Sequence, residues 1–298
     1  MHQPPFQPAF DHSDTIAHHD RVTGVDVRVD RVGNGDPVVF LNGLLGQNEH
    51  WFRTLPPLVD RAECLFIQPP LLDMRGAGCS VDGVTNLTLS LLDTLVEQPA
   101  LLVGNSLGGH VALKIALARP SIVRGLVLVG SSGLFERSFE KDVQHSPSHT
   151  WLRRKIEALF HDPDRMLPGM VEEAHAALSR RSAARAMVRL GRSAKRDHLG
   201  EQLPDVKTPT LICWGRQDIV TPPEVAQQFA QLIPNTRLRW LDECGHAPQI
   251  EQGAALGAHI AQFLADLQTD VFVPERLDQH ANADNAQSPS QGGRQGVA

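Results

Sequence analysis

The chain has 298 residues, 41% of them hydrophobic and 21% charged, which is ordinary for a globular protein and enough for one large domain with its own core. A formal charge of -6 argues against a nucleic-acid-binding surface, which needs a basic face and a high isoelectric point. No run approaches the ~18 consecutive apolar residues of a membrane-spanning helix, and the opening MHQPPFQPAF has neither the basic start nor the apolar stretch of a secretory signal.

In chain order, residues 1–20 are rich in Pro, His, Gln and Asp and are expected to be a flexible N-terminal segment. An α/β core is expected over residues 21–133 and 205–270. Residues 25–32 alternate polar and apolar positions, as an edge strand does. The turn Gly33-Asn34-Gly35-Asp36-Pro37 leads into the continuous apolar run Val38-Val39-Phe40-Leu41. Similar runs at 64–67, 101–103, 126–129 and 211–214, with a weaker one at 238–241, have the character of strands covered on both faces. Helical patterns lie between them at 85–97, 107–119, 224–232 and 250–267. This alternation predicts an α/β fold, a doubly wound and mostly parallel sheet. It breaks at residues 134–204, where the composition is helical (151–160, then 171–190) and basic residues outnumber acidic ones. The segment is expected to be a helical lid, inserted before the strand near residue 211 and lying over the strands' carboxyl ends. Residues 271–298 lack apolar periodicity and are expected to be a flexible tail, as dispensable for stability as the first twenty.

The four cysteines, Cys64, Cys79, Cys213 and Cys244, form no CxxC pair, so reduced thiols and a cytoplasmic location are expected. No HExxH or Walker loop occurs, and Gly33-x-Gly35 lacks the third glycine of a dinucleotide site. Neither a metal nor a cofactor is expected. The chain contains no tyrosine, which removes that residue as a candidate acid or oxyanion donor.

Gly104-Asn105-Ser106-Leu107-Gly108 matches G-x-S-x-G between a strand and a helix, a turn that exposes the serine at a sharp corner. A serine hydroxyl is a poor nucleophile until a base takes its proton. His246 lies in the loop after the last strand, between Gly245 and Ala247-Pro248, and is the candidate general base; His110 is expected to be a satisfied helix-surface histidine. The imidazole needs an acceptor for its second nitrogen, and Asp218, after the next-to-last strand, is the candidate. Asp242 and Glu243 are rivals by proximity, and Gly130-Ser131-Ser132-Gly133 offers no carboxylate. Two backbone N–H groups should form an oxyanion hole, one from Leu107 and one from Leu44 in the loop Asn42-Gly43-Leu44.

Taken together, GNGDPVVFLNG, DMRGAGCS, GNSLGG, GRQDIVTPPE and CGHAPQIE closely resemble the α/β-hydrolase superfamily, in its lid-bearing branch, over roughly residues 25–268. The resemblance implies a Ser106–Asp218–His246 triad, a lid that shapes the substrate pocket, and a small-molecule substrate. A serine at the elbow departs from haloalkane dehalogenases and epoxide hydrolases, which carry aspartate there. Asn42-Gly43 stands where the family usually has His-Gly; since the oxyanion donors are backbone groups, Asn42→His is expected to cost little. GNSLGG is similar to the elbow of the carbon–carbon bond hydrolases of aromatic degradation, which usually carry tryptophan where this chain has Ala247. The leading expectation is hydrolysis of a carboxylic ester, lactone or thioester. Carbon–carbon hydrolysis, acyl transfer, and ligand reception without turnover stand beside it.

Overall fold

The computed structural model describes residues 15–20, 24–136 and 147–275. Eight strands form one sheet in the order β1-β2-β4-β3-β5-β6-β7-β8: β1 (Thr15–Asp20), β2 (Val25–Val32), β3 (Asp36–Leu41), β4 (Ala62–Gln68), β5 (Ala100–Asn105), β6 (Val123–Val129), β7 (Thr210–Gly215) and β8 (Thr236–Leu241). The β1–β2 and β2–β4 pairings are antiparallel and every other pairing is parallel. Every strand expected from an apolar run is present, and the mostly parallel sheet is as expected.

The helices are α1 (Val81–Leu95), α2 (Leu107–Ala118), α3 (His149–Glu157), α4 (Met170–Leu178), α5 (Arg181–Arg196), α6 (Pro223–Leu232), α7 (Pro248–Glu251) and α8 (Gly253–Gln268). Alternate residues of each central strand serve opposite faces. Val39, Leu41 and Leu102 pack with the apolar sides of α1, α2 and α6, whereas Val38, Phe40 and Val103 pack with α8. Both faces are therefore covered, which is why these strands read as unbroken apolar runs. From β3 the chain passes to β4 on one side and returns through α1 to β5 on the other. This reversal opens a crevice at the carboxyl ends of β3 and β5, the usual ligand position in such sheets.

Between β6 and β7 the described residues contain helices and no strand. α3 and α4 pack on each other and onto Ala247 and Ile250, forming an apolar cluster separate from the two that flank the sheet. The pattern at 171–190 resolves into two helices that break at Ser179-Arg180. The pattern at 250–267 likewise breaks at Gln252, giving α7 and α8. α1 starts earlier than its apolar pattern because the Ser80 hydroxyl accepts a hydrogen bond from the Gly83 N–H and caps the helix.

Three expectations are corrected. Residues 15–20, assigned to the flexible N-terminal segment, pair with β2 along their whole length, from Thr15 opposite Asp30 to Asp20 opposite Val25. Consequently β2 is an interior strand, with Val27 and Val29 fully buried, and the edge is β1. At the other end, residues 271–275 run beside β8. The Glu275 N–H donates to the Thr236 carbonyl (2.8 Å), and the Glu275 carboxylate takes two bonds from the Arg239 guanidinium (both 2.6 Å). Phe272 meets Phe263 edge-on, with Arg237 over its ring. Residues 1–14, 21–23, 137–146 and 276–298, which include the rest of both expected tails, lie outside the described residues.

Loss of β1 would expose the hydrogen-bonding edge of β2 and remove the buried Asp20 carboxylate that accepts from the Ser90 hydroxyl (2.5 Å). A chain starting at Gly24 should therefore melt about 5 °C or more below one starting at Thr15. Equal melting temperatures would show that β1 contributes nothing to stability.

Candidate active site

Ser106 stands between β5 and α2 with φ 53° and ψ -117°, a backbone region that side-chain-bearing residues avoid. The turn closes only because its neighbours are glycine: a Cβ on Gly104 would collide with the Gly108 backbone, and one on Gly108 with the Leu41 carbonyl. Backbone hydrogen bonds hold the serine in place. Its N–H donates to the Val129 carbonyl (3.1 Å), and its own carbonyl accepts from Gly109, His110 and Ser132 (3.0, 3.2 and 3.1 Å).

Asp218 lies in the turn after β7, buried, with both oxygens occupied. Oδ1 accepts from the N–H groups of Val220 and Thr221 (2.8 and 2.9 Å), and Oδ2 accepts from the Thr221 hydroxyl (2.9 Å). The same Oδ2 lies 2.8 Å from His246 Nδ1. These donors fix the orientation of the Asp218 carboxylate and aim it at the imidazole. Burial alone would lower the His246 pKa; the charge and hydrogen bond of Asp218, with the charge of Glu136, outweigh it and raise it above the ordinary histidine value. The rival carboxylates are engaged elsewhere: Asp242 is exposed and pairs with Arg216 (2.6 Å), and exposed Glu243 lies 4.0 Å from Arg165.

The loop carrying His246 is tied on two sides. On one, the His246 N–H donates to the Leu159 carbonyl (2.6 Å), and the buried Glu251 carboxylate accepts from Gly245, His161 and Asp162. This clamps the loop to the segment following α3. On the other side, the Asn105 amide donates to the carbonyls of Val129 and His246 (2.9 and 3.3 Å), joining the loop to the residue before Ser106.

Leu107 occupies the first position of α2, where a helix leaves its N–H without an intrahelical acceptor. Across the crevice, a Cβ on Gly43 would lie 3.3 Å from the Ser106 Cβ, so the loop bearing Leu44 passes directly beside Ser106. The Asn42 side chain anchors that loop. Its amide donates to Asn48 Oδ1 and its oxygen accepts from the Trp51 indole N–H (both 2.8 Å), while Asn48 donates to the buried Asp30 carboxylate (2.7 Å).

Ser106, His246 and Leu44 line one cavity of about 470 Å³ at the crevice, with Asp218 behind the imidazole. Its walls are largely apolar; Trp151, Leu152 and Ile156 of α3, Ala174 and Leu178 of α4, and Met187 of α5 form the side contributed by the helices between β6 and β7. Among the described residues, no group of three or more His, Cys, Asp or Glu is placed to hold a metal. No described helix is long and apolar enough to cross a membrane.

Two polar residues of this cavity carry no motif in the sequence. His50, in the short 3₁₀ helix Asn48–Thr54, is nearly buried, and its Nδ1 accepts from the Gln47 N–H (3.3 Å). Burial, only partly opposed by the charge of Glu49, lowers its pKa to about 4, so it is neutral at physiological pH. Glu136 lies three residues after Gly133, beyond the Gly130–Gly133 loop, in which no carboxylate is found. Its proximity to that loop was the one available signal.

A family model described as the alpha/beta hydrolase family matches residues 38–258. The chain is 29% identical over 259 residues to 2-hydroxy-6-oxo-2,4-heptadienoate hydrolase of Pseudomonas putida, covering 81% of this chain and 94% of that protein. It is 28% identical over 242 residues to pimeloyl-[acyl-carrier protein] methyl ester esterase of Nitrosomonas europaea, covering 74% and 93%. Among solved structures, an alpha/beta hydrolase enzyme from the sediment metagenome of the Mar Chica lagoon, Morocco, superposes with a TM-score of 0.64 at 29% identity, covering 81% and 96%.

Asn42→Ala would leave the Trp51 N–H and the Asn48 side chain buried without their partner, and should cost about 2 kcal/mol or more in chemical denaturation. Asn42→His should cost less, because a neutral imidazole keeps one donor and one acceptor. Equal stability of Asn42→Ala and the unaltered protein would show that the network does not hold the loop.

Proposed function

Since the chain belongs to the alpha/beta hydrolase family, we propose that it is a serine hydrolase cleaving a carboxylic ester, lactone or thioester through an acyl-enzyme on Ser106. The observation that carries this reading is the buried His246–Asp218 pair, 2.8 Å apart, opening into the same cavity as a serine on a strained strand-to-helix turn. Nδ1 of His246 is committed to Asp218, which leaves Nε2 as the atom that takes the Ser106 proton. The hydroxyl oxygen then attacks the substrate carbonyl. The developing oxyanion receives hydrogen bonds from the N–H groups of Leu44 and Leu107, and the imidazolium returns its proton to the leaving group. A water activated by the same imidazole releases the acyl group. The helices of residues 134–204 serve as the lid, and their apolar side chains select a small or medium acyl chain.

Carbon–carbon hydrolysis is the second reading, supported by the likeness to the heptadienoate hydrolase over nearly all of that protein's length. Product analysis with an activated ester and with a 2-hydroxy-6-oxo-dienoate separates the two. Preferred turnover of the dienoate would replace the first reading with the second.

Turnover of one activated ester by wild type and variants tests the residue roles. Ser106→Ala and His246→Ala should each nearly abolish kcat, and their losses should not add in the double variant. Asp218→Asn should favour the wrong imidazole tautomer and lose up to ~10⁴-fold in kcat. Full activity in Ser106→Ala would overturn the proposal; full activity in Asp218→Asn would overturn only the assignment of the carboxylate.

The pH profile is a separate check. The base works as neutral imidazole, and its raised pKa means that the neutral form is already lost on acidification at a higher pH than for ordinary histidine. kcat/KM should therefore fall as the pH drops through a midpoint above 6.5. A midpoint below that value would contradict the electrostatic account of His246.

A further inference from the structure

Glu136 is built into the site more firmly than its position in a loop implies. Its Oε2 accepts from the Ser132 hydroxyl (2.9 Å), and Ser132 is buried, with its own N–H bonded to the Ser106 carbonyl (3.1 Å). One side chain thus fixes the carboxylate to the backbone of the serine itself. Glu136 lines the cavity together with Ser106 and His246, in largely apolar surroundings where charge is weakly screened.

Among the described residues, the other charged and titratable groups lining the cavity have partners or surroundings of their own. From the segment before α1, Asp73 is ion-paired with Arg180 at the start of α5. Glu173 of α4 accepts from the Gln47 amide (2.8 Å), and the Lys155 ammonium of α3 lies over the Trp151 ring, 5.5 Å from its centre. His50 is neutral at working pH. Behind the imidazole, Asp218 is saturated by its own donors. Among the described residues, Glu136 is the cavity-lining carboxylate whose charge acts on His246.

We propose that Glu136 is a specificity-determining residue: its carboxylate excludes substrates that carry a carboxylate of their own and directs the site to uncharged acyl groups. The proposal rests on the esterase reading of Ser106, Asp218 and His246. An anionic substrate placed at Ser106 meets a like charge in a poorly screened cavity before the oxyanion has formed. A neutral substrate meets none, and the same carboxylate then favours the imidazolium that arises on proton transfer.

The test compares p-nitrophenyl hexanoate with mono-p-nitrophenyl adipate, a pair matched in chain length and differing by one carboxylate. Wild type should prefer the hexanoate in kcat/KM, and Glu136→Gln should raise the adipate-to-hexanoate ratio by on the order of tenfold. The amide keeps a partner for the Ser132 hydroxyl, so a merely structural role would not move that ratio. With the hexanoate, Glu136→Gln should also shift the acid limb of kcat/KM to lower pH, and Glu136→Asp should keep the preference of wild type. A ratio that stays the same in Glu136→Gln, with the hexanoate still turned over, would overturn the role of Glu136 alone. Turnover of neither ester by wild type would overturn the esterase reading and this inference with it.

Discussion

At Ser106 the chain must leave the last residue of β5 and enter α2 with almost no linker, through φ 53° and ψ -117°. Such a conformation costs on the order of 1–3 kcal/mol and persists only where the surroundings enforce it. Here four backbone hydrogen bonds and the glycines of the elbow enforce it. The consequence is geometric. The serine stands clear of its own helix, its neighbour Leu107 presents a free helix-end N–H, and the loop from β3 passes close enough to face both. The sheet supplies the rest, because the reversal of strand order places the ends of β3 and β5 side by side, Leu41 opposite Gly104.

The second element is electrostatic. Asp218 is buried with three donors on its oxygens, so its charge is oriented before any substrate arrives. His246 is held between that carboxylate and two structural ties, Glu251 on one side and Asn105 on the other. The Glu251 tie reaches the segment after α3, so that segment and the loop bearing the imidazole are joined directly. A displacement of α3 would move the Leu159 carbonyl that accepts from the His246 N–H. Positioning of the His246 imidazole and the shape of the cavity are thereby coupled through the same short segment.

Much of this was legible in the sequence because it follows from periodicity and turn chemistry. Unbroken apolar runs located β3 to β8, and the glycine-rich corner located Ser106. Asp218 and His246 follow from strand ends, and the structure brings these two within hydrogen-bonding distance. β1 was missed because TIAHHD has no apolar alternation; it is stabilised by pairing and by buried contacts of Asp20, not by an apolar face. Residues 271–275 were missed for a similar reason, since Glu275 and Phe272 are held by arginines of β8. His50 and Glu136 lie on short irregular segments whose direction only the folded chain determines. Asn42 stands out in the sequence beside Gly43, but its bonds to Trp51 and Asn48 depend on contacts that no local pattern encodes.

The central claim is that one serine, activated by one imidazole, performs the chemistry. The most direct measurement is labelling of the intact protein with a serine-directed phosphonate, followed by mass spectrometry of its peptides. The account predicts a single adduct on Ser106, formed much more slowly in His246→Ala. An adduct on another residue, or equal labelling of Ser106→Ala, would contradict it.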